Sequence, residues 1–137
     1  MIGVDGSGAS RVALECGFQE AALHHRPVAA VHVTTARRED YWFDDTVLSA
    51  QFTAEPAGLD LLAAETEPWH YRHPDVPVKR AVFAGRPAEG LLRAAAGSAL
   101  LCVGDRGRSW PVRTLLGSVS DRAVDSADAP VAVVRKA

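Results

Sequence analysis

Five short apolar runs punctuate the chain, and the segments between them carry apolar positions at helical spacing. Met1-Ile2-Gly3-Val4-Asp5 predicts a first strand, followed by the tight loop Gly6-Ser7-Gly8. From Ser10 to about His25, Val12, Ala13, Cys16, Ala21 and Leu23 form a helical stripe; Ser7 or Ser10 is placed to cap it and Pro27 ends it. Val28 to His32 and Val33 is β-branched and nearly all apolar, which predicts a strand buried on both faces of a parallel sheet. Thr34 to about Thr46 is a mixed connector. A helix is expected from about Ala57 to Trp69, with a break at Pro56-Ala57-Gly58. Asp75-Val76-Pro77 is a turn and Val78 to Phe83 a third strand. Gly85-Arg86-Pro87 opens a helix to about Ala96, with Pro87 in its first turn and Leu91 and Leu92 on its apolar face. Leu100 to Val103 reads as the fourth strand, Ser118 to Ser126 as the last helix and Pro130 to Val134 as the fifth strand.

The order βα-βα-βα-βα-β predicts right-handed crossovers, a parallel sheet and helices on both faces. With 137 residues, we expect one domain spanning 1–137. In such sheets ligands bind at the carboxyl ends of strands, where the winding reverses. Asp5-Gly6-Ser7, His32-Val33-Thr34 and the segment from Gly104 onward would meet at that edge.

Composition narrows the classes. Hydrophobic residues make up 47% and charged residues 23%, as in ordinary globular proteins. The net charge of −2 and the absence of a basic run argue against nucleic acid as the main partner. No apolar stretch is long enough to span a bilayer and no signal-peptide pattern is present, so a cytoplasmic location is expected. Two cysteines, Cys16 and Cys102, make no disulfide framework; Cys102 reads as a small buried hydrophobe.

The chemistry concentrates in residues 104–118. Gly104 and Gly107 follow a strand, and Gly117-Ser118 opens a helix. Glycines permit a close backbone approach, and successive N–H groups can form an anion nest. The free N–H groups of a helix start favour phosphate, with the Ser118 and Ser120 hydroxyls placed to add bonds. Either glycine pair alone is an ordinary turn; the two together, between strand and helix, point to a ligand. No Gly-x-x-x-x-Gly-Lys-Ser/Thr motif is present, and Gly3, Gly6 and Gly8 lack dinucleotide-fingerprint spacing.

Gly104-x-x-Gly107, nine residues, then Gly117-Ser118 resembles the nucleotide-binding motif of the universal stress protein family. The resemblance extends to Val4-Asp5-Gly6-Ser7, His32-Val33, Gly85-Arg86-Pro87-Ala88 and Pro130 to Arg135, in the same order. It implies a three-layer α/β sandwich with strand order 3-2-1-4-5. In ATP-binding members, residues matching Asp5 and Val33 line the adenine and ribose pocket. Those matching Val103, Gly104, Arg106 and Gly107 embrace the nucleotide, and those matching Gly117, Ser118, Val119 and Ser120 hold its phosphates. The implied ligand is ATP or another adenine nucleotide, with Mg²⁺. The implied assembly is a homodimer through the strand Val131 to Val134, acting as a stress-response regulator.

Two features depart from the family pattern. The loop centre reads Ser109-Trp110-Pro111-Val112-Arg113 rather than glycine-rich, and Asp105 adds a negative charge. Pointing inward, Asp105 weakens triphosphate binding unless a metal intervenes; we read it as facing solvent. Arg106, Arg108 and Arg113 are the candidate compensating cations. His70 and His73 have ligand-like spacing, but no further ligand accompanies them, so a solvated helix end is the better reading. His24-His25 suits a helix C-terminus, and His32 reads as a satisfied strand histidine. Trp42 and Phe43 are a satellite cluster or partner patch, and Asp44-Asp45 a candidate cap. No catalytic constellation is suggested. A dimeric module that binds no nucleotide is one alternative. The other is an adenylating enzyme, whose loop Asp5 to Ser10 resembles only loosely.

Overall fold

The computed structural model describes residues 1–34, 56–106 and 117–136. The connector, Trp42, Phe43, Asp44-Asp45, Gly107, Arg108 and the loop centre through Arg113 lie outside them. Within the described residues the order is β1 (Ile2–Gly3), α1 (Gly8–Leu23), β2 (Val28–Thr34), α2 (Pro56–Arg72), β3 (Val78–Ala84), α3 (Pro87–Ala95), β4 (Leu101–Gly104), α4 (Ser118–Ser126) and β5 (Val131–Val134). The strands form one five-stranded sheet in the order β3-β2-β1-β4-β5. Every pairing is parallel. This is the expected three-layer sandwich.

Strand side chains alternate between faces, so each face needs its own core. On one, Ile2, Val28, Ala30, Val82 and Cys102 pack with Leu14 and Phe18 of α1 and Leu62 of α2. On the other, Val31, Leu101 and Val103 pack with Leu91 and Ala95 of α3 and Ala123 of α4. Adjacent strand residues such as Cys102 and Val103 therefore serve opposite cores. Both faces being covered is the physical reason the strands read as unbroken apolar runs. Burial, with Cys16 beside it, pushes the Cys102 thiol up to about 12. It behaves as a neutral apolar side chain, as read from its position.

Three local readings are corrected. The buried stripe of α1 is Ser10, Ala13, Leu14, Gly17, Phe18 and Ala21. The sequence stripe shares only Ala13 and Ala21 with it, and Leu23 is 69% exposed. The reason is tertiary: Phe18 stacks between α1 and the end of α2, its ring 6.4 Å from Trp69 and 6.2 Å from His73. Secondly, the helix expected to end at about Trp69 runs on to Arg72, with Pro68 inside it. Thirdly, β1 is only Ile2–Gly3.

Candidate functional site

A cavity of about 660 Å³ opens at the carboxyl edge of the sheet, between the ends of β1, β2 and β4. β1 pairs with β2 on one side and β4 on the other, so this is where the winding reverses. Val33 and Val103 give it apolar walls, with Leu91 of α3 beside them. Asp5, Arg86, Arg106 and the start of α4 supply its polar groups.

Each strand end is fixed by hydrogen bonds. The carboxylate of Asp5 accepts the Ser7 N–H at 2.9 Å, closing a turn over Gly6. Gly6 has φ +77°, a conformation glycine adopts without strain. Ser7 then caps α1, its hydroxyl accepting from the Ser10 N–H at 3.1 Å. On β2, the His32 Nδ1 lies 2.7 Å from the Val4 carbonyl. A carbonyl can only accept, so Nδ1 carries the hydrogen. The strand end is closed further by the Gly85 N–H, which donates to the Thr34 carbonyl at 2.9 Å.

Gly104 is required by packing. A Cβ there would lie 2.5 Å from the carbonyl carbon of Ala9 and 2.7 Å from its oxygen. The missing side chain lets the N-terminal turn of α1 cross the end of β4, beside the cavity.

The start of α4 differs from that of α1. Its cap is Gly117, with no side-chain hydrogen bond. The Gly117 N–H donates to the Asp105 carbonyl at 2.7 Å. The buried Ser120 hydroxyl reaches that carbonyl at 3.0 Å and the Gly117 carbonyl at 2.9 Å. Its single hydrogen is thus spent inside the protein, and Ser120 braces the neck joining 105 to 117 rather than offering a hydroxyl donor outward. The first-turn N–H groups of Ser118, Val119 and Ser120 have no acceptor within the helix and carry the positive end of its dipole. α3 also lacks a side-chain cap, but Pro87 stands in its first turn and has no N–H to give.

Asp105 does not face solvent, which corrects the sequence reading. It is 6% exposed. Its Oδ2 accepts from Arg135 Nε at 3.1 Å, and Arg106 Nε lies 3.6 Å from the same oxygen. A buried carboxylate is tolerated only with such partners, and Arg135 at the end of β5 provides one.

Asp5, Val33, Val103, Gly104, Arg106, Gly117, Ser118, Val119 and Ser120 all line this one cavity. Gly107 lies outside the described residues. Thr34, expected at this edge, lines it as well; Arg86 and Leu91 also line it and were not among the candidate site residues. Arg86 had a usable signal, since the residue before Pro87 caps a helix that must start at the same sheet edge. His70 is exposed while His73 packs on Phe18. Among the described residues no group of three or more His, Cys, Asp or Glu side chains is arranged to hold a metal. A second groove, of about 630 Å³, is lined by α2 alone, between Ala64 and Arg72. No helix among the described residues is long and apolar enough to cross a membrane.

Comparison with known proteins agrees with this architecture. The model of the universal stress protein family matches residues 1–135. A universal stress protein of Mycolicibacterium smegmatis is 38% identical over 139 residues, covering 98% of this chain and 45% of that protein. One of Mycobacterium tuberculosis is 35% identical over 146 residues, covering 99% of this chain and 45% of its own length. The chain thus spans about half the length of these curated relatives. A solved universal stress protein in complex with cAMP superposes with a TM-score of 0.69 at 21% identity, covering 99% of this chain and 95% of that one. The matched span takes in both glycine pairs of the sequence, all five strands and every residue that lines the cavity, and on that ground the chain belongs to the universal stress protein family.

Proposed function

We propose that this chain is an adenine-nucleotide-binding regulatory domain over 1–137, with ATP as its ligand and Mg²⁺ accompanying the triphosphate. The observation that carries the reading is the start of α4, where the N-cap Gly117 has no side chain to bond the first-turn N–H groups, beside Arg106 on an apolar-walled cavity at the sheet's switch point. Val33 and Val103 fit the base, and Asp5 fits a ribose hydroxyl. The N–H groups of Ser118, Val119 and Ser120 fit phosphate oxygens, with Arg106 adding charge. The volume of about 660 Å³ lies within the usual range for small-molecule sites. The family relative solved with cAMP supports an adenine nucleotide as the ligand class. An Asp105 charge beside the phosphates would favour a module without nucleotide, and its pairing with Arg135 weakens that case. In this reading occupancy biases a stress-response partner, and the half-buried, uncharged β5 (Val131–Val134) serves as the homodimer edge.

Equilibrium dialysis with labelled ATP at physiological Mg²⁺ tests the reading. Saturable binding is expected, weakened roughly three- to tenfold in Arg106→Ala and more so at low salt. No binding at millimolar ATP contradicts it.

A further inference from the structure

Asp105 is held at every polar atom of its backbone. Its N–H donates to the Val134 carbonyl at 3.0 Å, and its carbonyl accepts from Gly117 at 2.7 Å and from Ser120 at 3.0 Å. The backbone that carries the carboxylate therefore has a fixed place between the end of β5 and the start of α4. Among the described residues, the carboxylate's two cations are unequal. Arg135 makes the hydrogen bond, at 3.1 Å; Arg106 stands at 3.6 Å, too long for one, with its side chain 44% exposed. Arg106 also lines the cavity, so it is a cation shared between a buried carboxylate and whatever occupies the site.

We propose that Asp105 is a positioning residue: an internal counter-anion that competes with a bound nucleotide's phosphates for Arg106, with Arg135 setting how strongly it competes. This rests on the nucleotide reading above. While Arg135 answers the carboxylate, Arg106 is only loosely held and can turn to an anion in the cavity. Without Arg135, the carboxylate draws Arg106 to itself. Without the carboxylate's charge, Arg106 is released and a nearby negative charge is gone. The two substitutions therefore act in opposite directions, although both break the same ion pair.

ATP and adenosine binding are measured by titration calorimetry on the whole chain at two ionic strengths. Asp105→Asn should bind ATP about threefold tighter and Arg135→Gln about threefold weaker, with both differences shrinking at high salt. Arg135→Lys should stay near the parent. The double variant should match Asp105→Asn within about twofold, because Arg135 acts through the carboxylate. Adenosine, which has no phosphate, should bind all of them alike. A merely structural ion pair predicts weaker binding in both single variants and altered adenosine affinity; that result, or no change in either, overturns the proposal. If Asp105→Asn fails to fold by circular dichroism, the Arg135→Gln and Arg135→Lys pair decides: equal affinities overturn it. Saturable ATP binding by the parent with the wrong variant signs defeats this proposal alone. No ATP binding by the parent at millimolar concentration defeats the nucleotide reading and this proposal with it.

Discussion

Gly104 and Asp105 are neighbours whose roles are set by what lies behind them, at distances of a few ångströms. At Gly104 the constraint is contact with the backbone of Ala9, which cannot move aside as a flexible side chain would. Gly104→Ala should cost about 1–3 kcal/mol through overpacking and lower the thermal midpoint by several degrees in a circular dichroism melt. An unchanged midpoint would mean that the crossing of α1 and β4 is looser than the structure has it. The sequence marked Gly104 as a glycine that permits a close backbone approach, read there as serving an anion nest; in the structure the close neighbour is the backbone of Ala9. The sequence placed the Asp105 side chain in solvent, because nothing within the sequence neighbourhood reveals that Arg135, thirty residues on, ends the adjacent strand. Residue identity at the strand end was legible; residue orientation depends on a partner supplied by topology.

At the scale of elements, the strands were read well because both faces are buried and their apolar character leaves little ambiguity. α1 was found, but its buried face was turned. Val12, Cys16 and Leu23 fit a helical period as well as Leu14 and Phe18 do, and period alone does not choose between overlapping stripes. The choice is made by Trp69 and His73, which receive the Phe18 ring, and by Ile2 and Cys102 beneath it. Phe18→Ala should therefore destabilise by about 3–5 kcal/mol in urea unfolding, whereas Leu23→Ala should stay within about 0.5 kcal/mol of the parent. Equal effects would restore the other stripe. α4 was read with its bounds intact, since Gly117-Ser118 marks its start in the sequence and in the structure alike.

At the scale of the whole molecule, the reversal of winding between β1 and β4 gathers residues distant in sequence around one cavity. Gly104, Gly117-Ser118 and the strand ends of that cavity were legible, because a parallel α/β sheet places the carboxyl ends of its strands at one edge. Arg86 was less so: its helix belongs to the same edge, but no spacing rule tied it to the glycines. The central claim is that an adenine nucleotide occupies this edge and no other surface. Backbone amide NMR of the ¹⁵N-labelled chain, titrated with ATP and Mg²⁺, addresses it directly. The account predicts saturable shifts at residues 3–5, 31–34, 86, 88, 103–106 and 117–120, with the α2 groove from Ala64 to Arg72 silent. Shifts confined to that groove, or spread without saturation over the surface, would contradict it.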